Sequence, residues 1–251
     1  MEQQDDQLYK VIEVCLLAGK LMLQNGGETY RVEDTMTRIA ASNGIKDSHS
    51  FVTPTGIIFS MDGRDPTKFI RIVDRSTDLQ KIAIVNNISR KISDGKISID
   101  EAYEELKEVE HANLMYPAWV QILSAAFVSG CFLIMFQGKW FDFFAAFFAG
   151  AGGYAGLLYF NKVVQIKFFS EFTASLIIGF LSLFFITIGF GHDLDKIIIG
   201  SVMPLVPGVL ITNAVRDLMA GHLVSGLSKG AEAFLTAFAI GAGVAVVISL
   251  L

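Results

Sequence analysis

The sequence predicts an α-helical multi-pass membrane protein with five transmembrane helices, preceded by an N-terminal cytosolic α+β domain. Three observations predict it. Apolar residues make up 52% of the 251 positions and charged residues 18%, whereas a soluble globular chain carries about a quarter charged. The charges are unevenly placed: residues 1–116 hold 14 Lys/Arg and 19 Asp/Glu, and residues 117–251 hold 6 and 6. Finally, the second part contains five uncharged windows, each long enough to cross a bilayer at about 20 apolar residues per span. This pattern excludes a single soluble domain, a disordered chain and a fibrous repeat. The water-facing part is acidic and would repel phosphate, so no nucleic acid is expected as a partner. Two cysteines, Cys15 and Cys131, make neither a disulfide framework nor a structural zinc site.

The N-terminal domain, residues 1–116, starts with the acidic MEQQDDQ. No cationic stretch leads into an apolar one there, so no cleavable signal is read and the domain is expected to stay in the cytoplasm. Leu8, Val11, Ile12, Cys15 and Leu23 recur at helical spacing and predict a helix over 6–24, stopped by Asn25-Gly26-Gly27. Val32, Met36, Ile39 and Ala40 predict a second helix, ended by Asn43-Gly44. The β-formers of 50–61 and 68–75 predict a hairpin turned by Asp62-Gly63 and Pro66, with Pro54 placing its strand at an edge or bulge. Leu79, Ile82, Val85, Ile88 and Ile92 predict a third helix. Ser98 and Glu101 form a capping box that opens a fourth. The order read is α-α-β-β-α-α.

The membrane domain, residues 117–251, has windows at 117–137, 143–161, 172–191, 197–215 and 233–251. Lipid offers backbone groups no partners, so each window is expected to be helical. The second and fourth links carry the lysine and arginine excess, through Lys162, Lys167, Arg216 and Lys229. The positive-inside bias puts those links and the N-terminus in the cytoplasm and the C-terminus outside. Ala145, Ala149 and Gly153, with Gly152 and Gly156, form small-residue spacings that predict close helix approach, within this chain or to another subunit. Asp142, at the start of the second span, reads as an interface residue rather than a relay.

The fourth window carries the most informative pattern. Pro204 and Pro207, followed by Gly208, bracket its midpoint at Val206. Two prolines delete backbone donors, so the helix is expected to break there. A helix broken at mid-bilayer is how many transporters present backbone groups to a polar substrate; the alternative is a kink repaired by neighbouring helices. Downstream, Asn213, Asp217, Gly221 and Ser225 fall on one face if the helix continues, with Pro204, Gly208, Thr212 and Arg216 on the adjacent one. Thr212, Asn213 and the carbonyls freed around Pro204 are candidate substrate contacts. Arg216 is a candidate for a substrate carboxylate and Asp217 for a coupling proton; alternatively both simply end the span at the interface. The run from Gly226 to Gly230 with Glu232 reads as a gate, a re-entrant turn or a plain loop.

In the N-terminal domain, the segment from Asn25 to Glu33 is the densest polar motif. It reads either as a functional motif or as a helix–helix turn with a solvated face. His49, His111, His192 and His222 show no metal spacing. Neither metal nor cofactor is expected, and enzymatic chemistry is not. Two alternatives from other classes stay open: a membrane-anchored enzyme with its active site around Glu28, Arg31 and Glu33, and a sensor or scaffold. An odd number of spans fits one half of a two-half secondary transporter, which then needs a second membrane subunit or a copy of itself.

Two stretches carry a family resemblance. Residues 23–36, LQNGGETYRVEDTM, and residues 207–221, PGVLITNAVRDLMAG, continued by Ser225, Gly226 and Glu232, resemble the signatures of the threonine/serine exporter family. The order of a cytosolic α+β domain and five spans is similar too, so the resemblance covers essentially the whole chain. It implies export of threonine, serine or comparable small polar metabolites, including small dicarboxylates, driven by the proton-motive force. It also implies residence in the cytoplasmic (inner) membrane of a prokaryote. The chain is similar to the larger subunit of the split members, which act with a smaller all-membrane subunit. Residue by residue, Pro207, Gly208, Asn213, Asp217, Gly221, Ser225 and Gly226 match the membrane motif. Gly27, Glu28, Thr29, Arg31 and Glu33 match the cytosolic one.

Overall fold

The computed structural model describes residues 2–61, 67–164, 166 and 168–250. Asp62, Gly63, Pro66, Lys167 and the last position of the fifth window lie outside the described residues. The chain forms two compact units. One comprises Met1–Met115 and Val209–Gly230; the other comprises Tyr116–Gly208 and Ala231–Leu251.

In the first unit, α1 (Glu2–Gln24) is buried on nearly every side in its second half, where Val14, Cys15, Ala18 and Met22 are inaccessible. It stops at Gly26, whose φ of 89° is left-handed. Gly27 follows with its N–H on Met22 O at 2.9 Å, and a Cβ there would stand 2.8 Å from that same oxygen. α2 (Thr29–Ser42) buries Val32, Met36, Ile39 and Ala40, the four positions that predict it. α3 (Leu79–Ser93) is capped by Asp78, and α4 (Ile99–His111) by the Ser98/Glu101 capping box. All four helices contribute to one core with Ile57 and Phe59 of the sheet.

The sheet differs from the two-strand expectation. Residues 50–61 do not form one strand: β1 (Ser48–Thr53) turns at Pro54-Thr55 into β2 (Gly56–Met61). These pair antiparallel with Thr53 opposite Gly56, and β3 (Lys68–Arg71) pairs on the other side of β2. Pro54 is therefore a turn residue rather than a strand residue at an edge or bulge. Its fixed φ suits a turn, and a 12-residue strand would be twice the usual length.

In the second unit, α5 (Ala118–Met135), α6 (Phe143–Val163) and α7 (Phe169–Thr187) are packed helices long and apolar enough to cross a membrane, as is α10 (Leu223–Ile248). The described residues hold four helices long and apolar enough to cross a membrane, or five such spans if a broken pair forms one. The glycines of α6 meet partners in this chain. A Cβ on Gly150 would lie 2.0 Å from Ser129 Oγ of α5, and one on Gly153 would lie 2.2 Å from Ile178 of α7. Tyr116, Trp119, Trp140 and Tyr159 are exposed near helix ends, where membrane proteins carry aromatic belts.

The broken pair is the fourth window. α8 (Leu194–Val202) runs into a 3-10 turn at Met203–Leu205 that contains Pro204. Val206 is extended, with ψ 129°, as the residue before Pro207 should be, and α9 (Gly208–Met219) starts afresh. α9 then ends two turns earlier than a stripe through Ser225 requires. Gly221, at φ +87°, closes it, with His222 N–H on Asp217 O at 2.9 Å. The single stripe from Asn213 to Ser225 is thus replaced by a tight hairpin into α10. Gly226 to Gly230, expected as a gate, re-entrant turn or loop, is the first part of α10, which also holds Glu232. Gly226 serves packing here: a Cβ would stand 2.6 Å from Leu218 Cγ of α9.

Candidate functional site

The site lies inside the first unit, where the start of α2 meets the α9–α10 hairpin. The first N–H groups of a helix lack partners and carry partial positive charge. Glu28, at the N-cap of α2, makes no capping bond with its side chain. Its Oε2 accepts from Arg31 Nη1 at 3.0 Å and its Oε1 from Arg216 Nη1. The open end of α2 is filled by Asp217 of α9, 188 positions away. Thr29 N–H donates to Asp217 Oδ1 at 2.9 Å, and Thr29 Oγ1 donates to Oδ2 at 2.8 Å.

Lys229 of α10 completes the cluster. Its Nζ lies 2.7 Å from Asp217 Oδ2, 3.1 Å from Gly27 O and 3.4 Å from Thr29 Oγ1. An ammonium has three donors, and all three find acceptors here. Asp217 and Thr29 are wholly buried, and Lys229 and Glu28 are 4% and 5% exposed. At such depth a lone charge is costly, so mutual pairing is what allows these groups to be there. Around the cluster, Asn213 Nδ2 donates to Gly26 O at 2.7 Å, and Ser225 Oγ donates to Val52 O at 3.1 Å. Glu33 Oε1 accepts from Val52 N–H at 3.0 Å, while its Oε2 lies 3.8 Å from His222 Nε2.

Electrostatics separate the two glutamates. Burial acts upward on Glu28, but the hydrogen bonds from Arg216 and Arg31 outweigh it and hold the carboxyl below its ordinary value. Burial raises Glu33, against the Val52 N–H and the charge of His222, and the nearby charge of Asp217 adds to the rise. The guanidinium groups are the accessible part: the side chains of Arg216 and Arg31 are 56% and 40% exposed while sharing one buried carboxylate. That arrangement carries a surplus positive charge and free donor edges suited to a small carboxylate.

The structure therefore brings together Gly27, Glu28, Thr29, Arg31, Glu33, Asn213, Arg216, Asp217 and Ser225. Arg216 and Asp217, neighbours on α9, have different partners: Glu28 for Arg216, Thr29 and Lys229 for Asp217. The 25–33 segment is a helix–helix turn; Glu28 and Thr29 are buried, while Tyr30, Arg31 and Asp34 of the face that follows keep solvent access. Thr212 is exposed on α9, and Pro207 and Gly208 stand at the break. Pro204 and Glu232 lie in the other unit, while Gly221 and Gly226 shape the hairpin. Sequence reasoning missed Lys229, taken for a positive-inside link residue, and His222, taken for a scattered histidine. The signal for Lys229 was its place on a hairpin facing Asp217, visible only once α10 is known to start at Leu223. Asp142 was missed as well: it is wholly buried. Among the described residues, no group of three or more His, Cys, Asp or Glu stands where it could hold a metal.

A family profile described as "Putative threonine/serine exporter" matches residues 13–251. The chain is 27% identical to "Probable succinate transporter subunit YjjP" of Klebsiella aerogenes, over 97% of this chain and 95% of that one. It is 25% identical to the protein of the same description in Escherichia coli K12, over 98% and 97%. It is also 25% identical to "Probable threonine/serine exporter" of Mycobacterium tuberculosis, over 91% of this chain and 44% of that longer one. No solved structure matches.

Proposed function

We propose that this chain, which belongs to the threonine/serine exporter family, is one subunit of a secondary active exporter of small polar metabolites. Its cargo on this reading is amino acids of the threonine/serine kind or small dicarboxylates, moved with proton coupling. Its partner is a second, smaller membrane subunit or a further copy of itself. It sits in the cytoplasmic membrane with its N-terminus inside. The relatives named succinate transporter subunits are matched along 95% and 97% of their length, which supports a subunit role and a carboxylate cargo. The relatives are named as transporters rather than enzymes, and the proposal follows them.

The observation that carries the reading is the pair of exposed guanidinium groups held by Glu28. Arg216 and Arg31 offer their free edges to a substrate carboxylate, with Thr212 and Asn213 as neutral neighbours on the same helix. The interruption at Pro204 to Pro207 divides the fourth window into two helices. Asp217 is assigned to hold α9 on α2, in place of the expectation that it carries the coupling proton, because three donors already engage its two oxygens.

The test is counterflow of labelled succinate and threonine in proteoliposomes containing this chain and the second subunit. Losing one charge-assisted bond costs about 1.5–3 kcal/mol, so Arg216→Gln should raise the half-saturating concentration about ten- to a hundredfold. Arg38→Gln, at an exposed ion pair with Asp34 on α2, should leave it unchanged. Unaltered saturation in both Arg216→Gln and Arg31→Gln would remove the proposed substrate contact.

A further inference from the structure

Asp142 is a buried carboxylate with only one of its two oxygens hydrogen-bonded among the described residues. It closes a 3-10 turn, Trp140–Asp142, at the start of α6, and it is wholly inaccessible. Its Oδ1 accepts the His192 N–H at 2.7 Å and lies 3.9 Å from His192 Nδ1. Its Oδ2, equally buried, has no hydrogen-bond partner among the described residues. One turn on, along the same helix face, Ala145 and Ala146 pack with Leu133 and Ile197 in a fully buried cluster. Holding the His192 N–H needs only one acceptor, which a neutral Asn would also supply. The second oxygen, left open beside an apolar core, is what a purely structural role does not explain.

The chemistry that fits one open carboxylate oxygen is a proton. A hard cation takes about six oxygen ligands, and no cluster of carboxylates or histidines gathers here among the described residues. His192 supplies the route. Its side chain is 60% exposed, Phe141 packs edge-on against its ring at 4.5 Å, and imidazole is the side chain suited to exchanging protons with water near neutral pH. The other charged groups around this end are few. Lys139 precedes the 3-10 turn. On and before α8, Lys196 pairs with Asp193 at 3.4 Å and donates to Gln137 O at 2.9 Å, and Asp195 stands in its first turn. α5 has no charged residue, α6 has none before Lys162, and the Glu171 of α7 is at the end of that helix away from His192.

We propose that Asp142 and His192 form the proton-uptake site of the membrane unit. A proton from water joins the His192 imidazole; the Nδ1 proton then passes to the Asp142 carboxylate and leaves the imidazole neutral. Asp142 becomes a neutral acid and later releases that proton. The direction rests on the exporter reading, in which the links bearing both residues face outside, where protons enter as cargo leaves. The location rests on the burial of Asp142, its open Oδ2 and the exposed His192 beside it.

The test uses this chain with its second subunit in proteoliposomes, with succinate or threonine as cargo and a fluorescent proton indicator. Asp142→Asn keeps the acceptor for the His192 N–H. It should reduce accumulation driven by a pH gradient to the level seen without a gradient, while exchange of cargo without a gradient persists. Asp142→Glu should restore part of the driven flux. His192→Gln, at an exposed side chain, should slow proton uptake and shift its pH profile; it also carries the test if Asp142→Asn fails to assemble. Unchanged proton-to-cargo ratios in Asp142→Asn, or in His192→Gln should only that variant assemble, would overturn the proposal. Infrared titration of the chain alone in nanodiscs separates this from the exporter reading. As pH falls, the unsubstituted protein should gain a protonated-carboxyl carbonyl band that Asp142→Asn lacks, over and above the signal both share from their other Asp and Glu side chains. If the pair of subunits moves no cargo the exporter reading falls, whereas absence of that band removes the proton site whatever the cargo.

Discussion

Replacing Lys229 by methionine keeps the unbranched stem of the side chain and removes the charged end. The ammonium now satisfies Asp217 Oδ2, Gly27 O and Thr29 Oγ1 at 2.7, 3.1 and 3.4 Å. Its loss leaves a wholly buried carboxylate with only the two donors of Thr29. Breaking a buried ion pair from one side costs about 3–5 kcal/mol. The lower end applies here, because the N-terminus of α2 still contributes about 0.3–1 kcal/mol to an anion. Asp217→Asn should cost about as much, since it strands the buried ammonium. The double variant strands no charge, and its Asn can still accept from Thr29 N–H, so it should cost about 2 kcal/mol or less. The assay is reversible denaturation of the full chain in mixed micelles, one cycle of four proteins. Single variants within about 0.5 kcal/mol of the unsubstituted chain, or singles that simply add in the double, would refute the cluster as the connection between α2 and the α9–α10 hairpin.

Three further outcomes follow from other parts of the molecule. Glu28 is held below its ordinary value by Arg216 and Arg31, and Glu110 is pulled down to about 2 by Lys20 and Lys107. The stability they add is complete above the ordinary carboxylate range and lost as pH falls through the depressed values, so Glu110→Gln should flatten the acid limb of a stability–pH curve. Burial pushes the Cys15 thiol up to about 12, so in a Cys131→Ser background a maleimide at pH 8 should label the chain only when denaturant opens the N-terminal core. Gly153→Ala drives a methyl to 2.2 Å from Ile178 Cγ1 and 3.2 Å from Ala174 O, which should cost about 1–3 kcal/mol by overpacking and lower the aggregation temperature of the purified protein.

What could be read from the sequence divides along physical lines. Helices announce themselves by local spacing, so the buried faces of α2 and α3 and the capping box at Ser98 were visible, and so was the break between the two prolines. Pro54 was misread because propensity marks residues 50–61 as β-forming throughout, while the turn depends on backbone pairing between Thr53 and Gly56. The start of α10 was misread for the opposite reason. Glycines and charges argue against a helix locally, yet Leu218 packs on Gly226 and Asp217 holds Lys229. The polar residues of both motifs were legible as candidates, but not that they meet, because nothing local joins Thr29 to a carboxylate 188 positions on. Asp142 stands where a span begins, and its burial comes from how the α7–α8 link folds back over it, which no spacing rule encodes.

The most direct test of the account is outward flux of labelled threonine and succinate from proteoliposomes containing this chain alone, the smaller subunit alone, or both. The account predicts gradient-driven flux when both are present, with the lone chain at the level of empty vesicles unless it pairs with itself. Equal, slow leakage from all three preparations, under a pH gradient and with both cargoes, would contradict it.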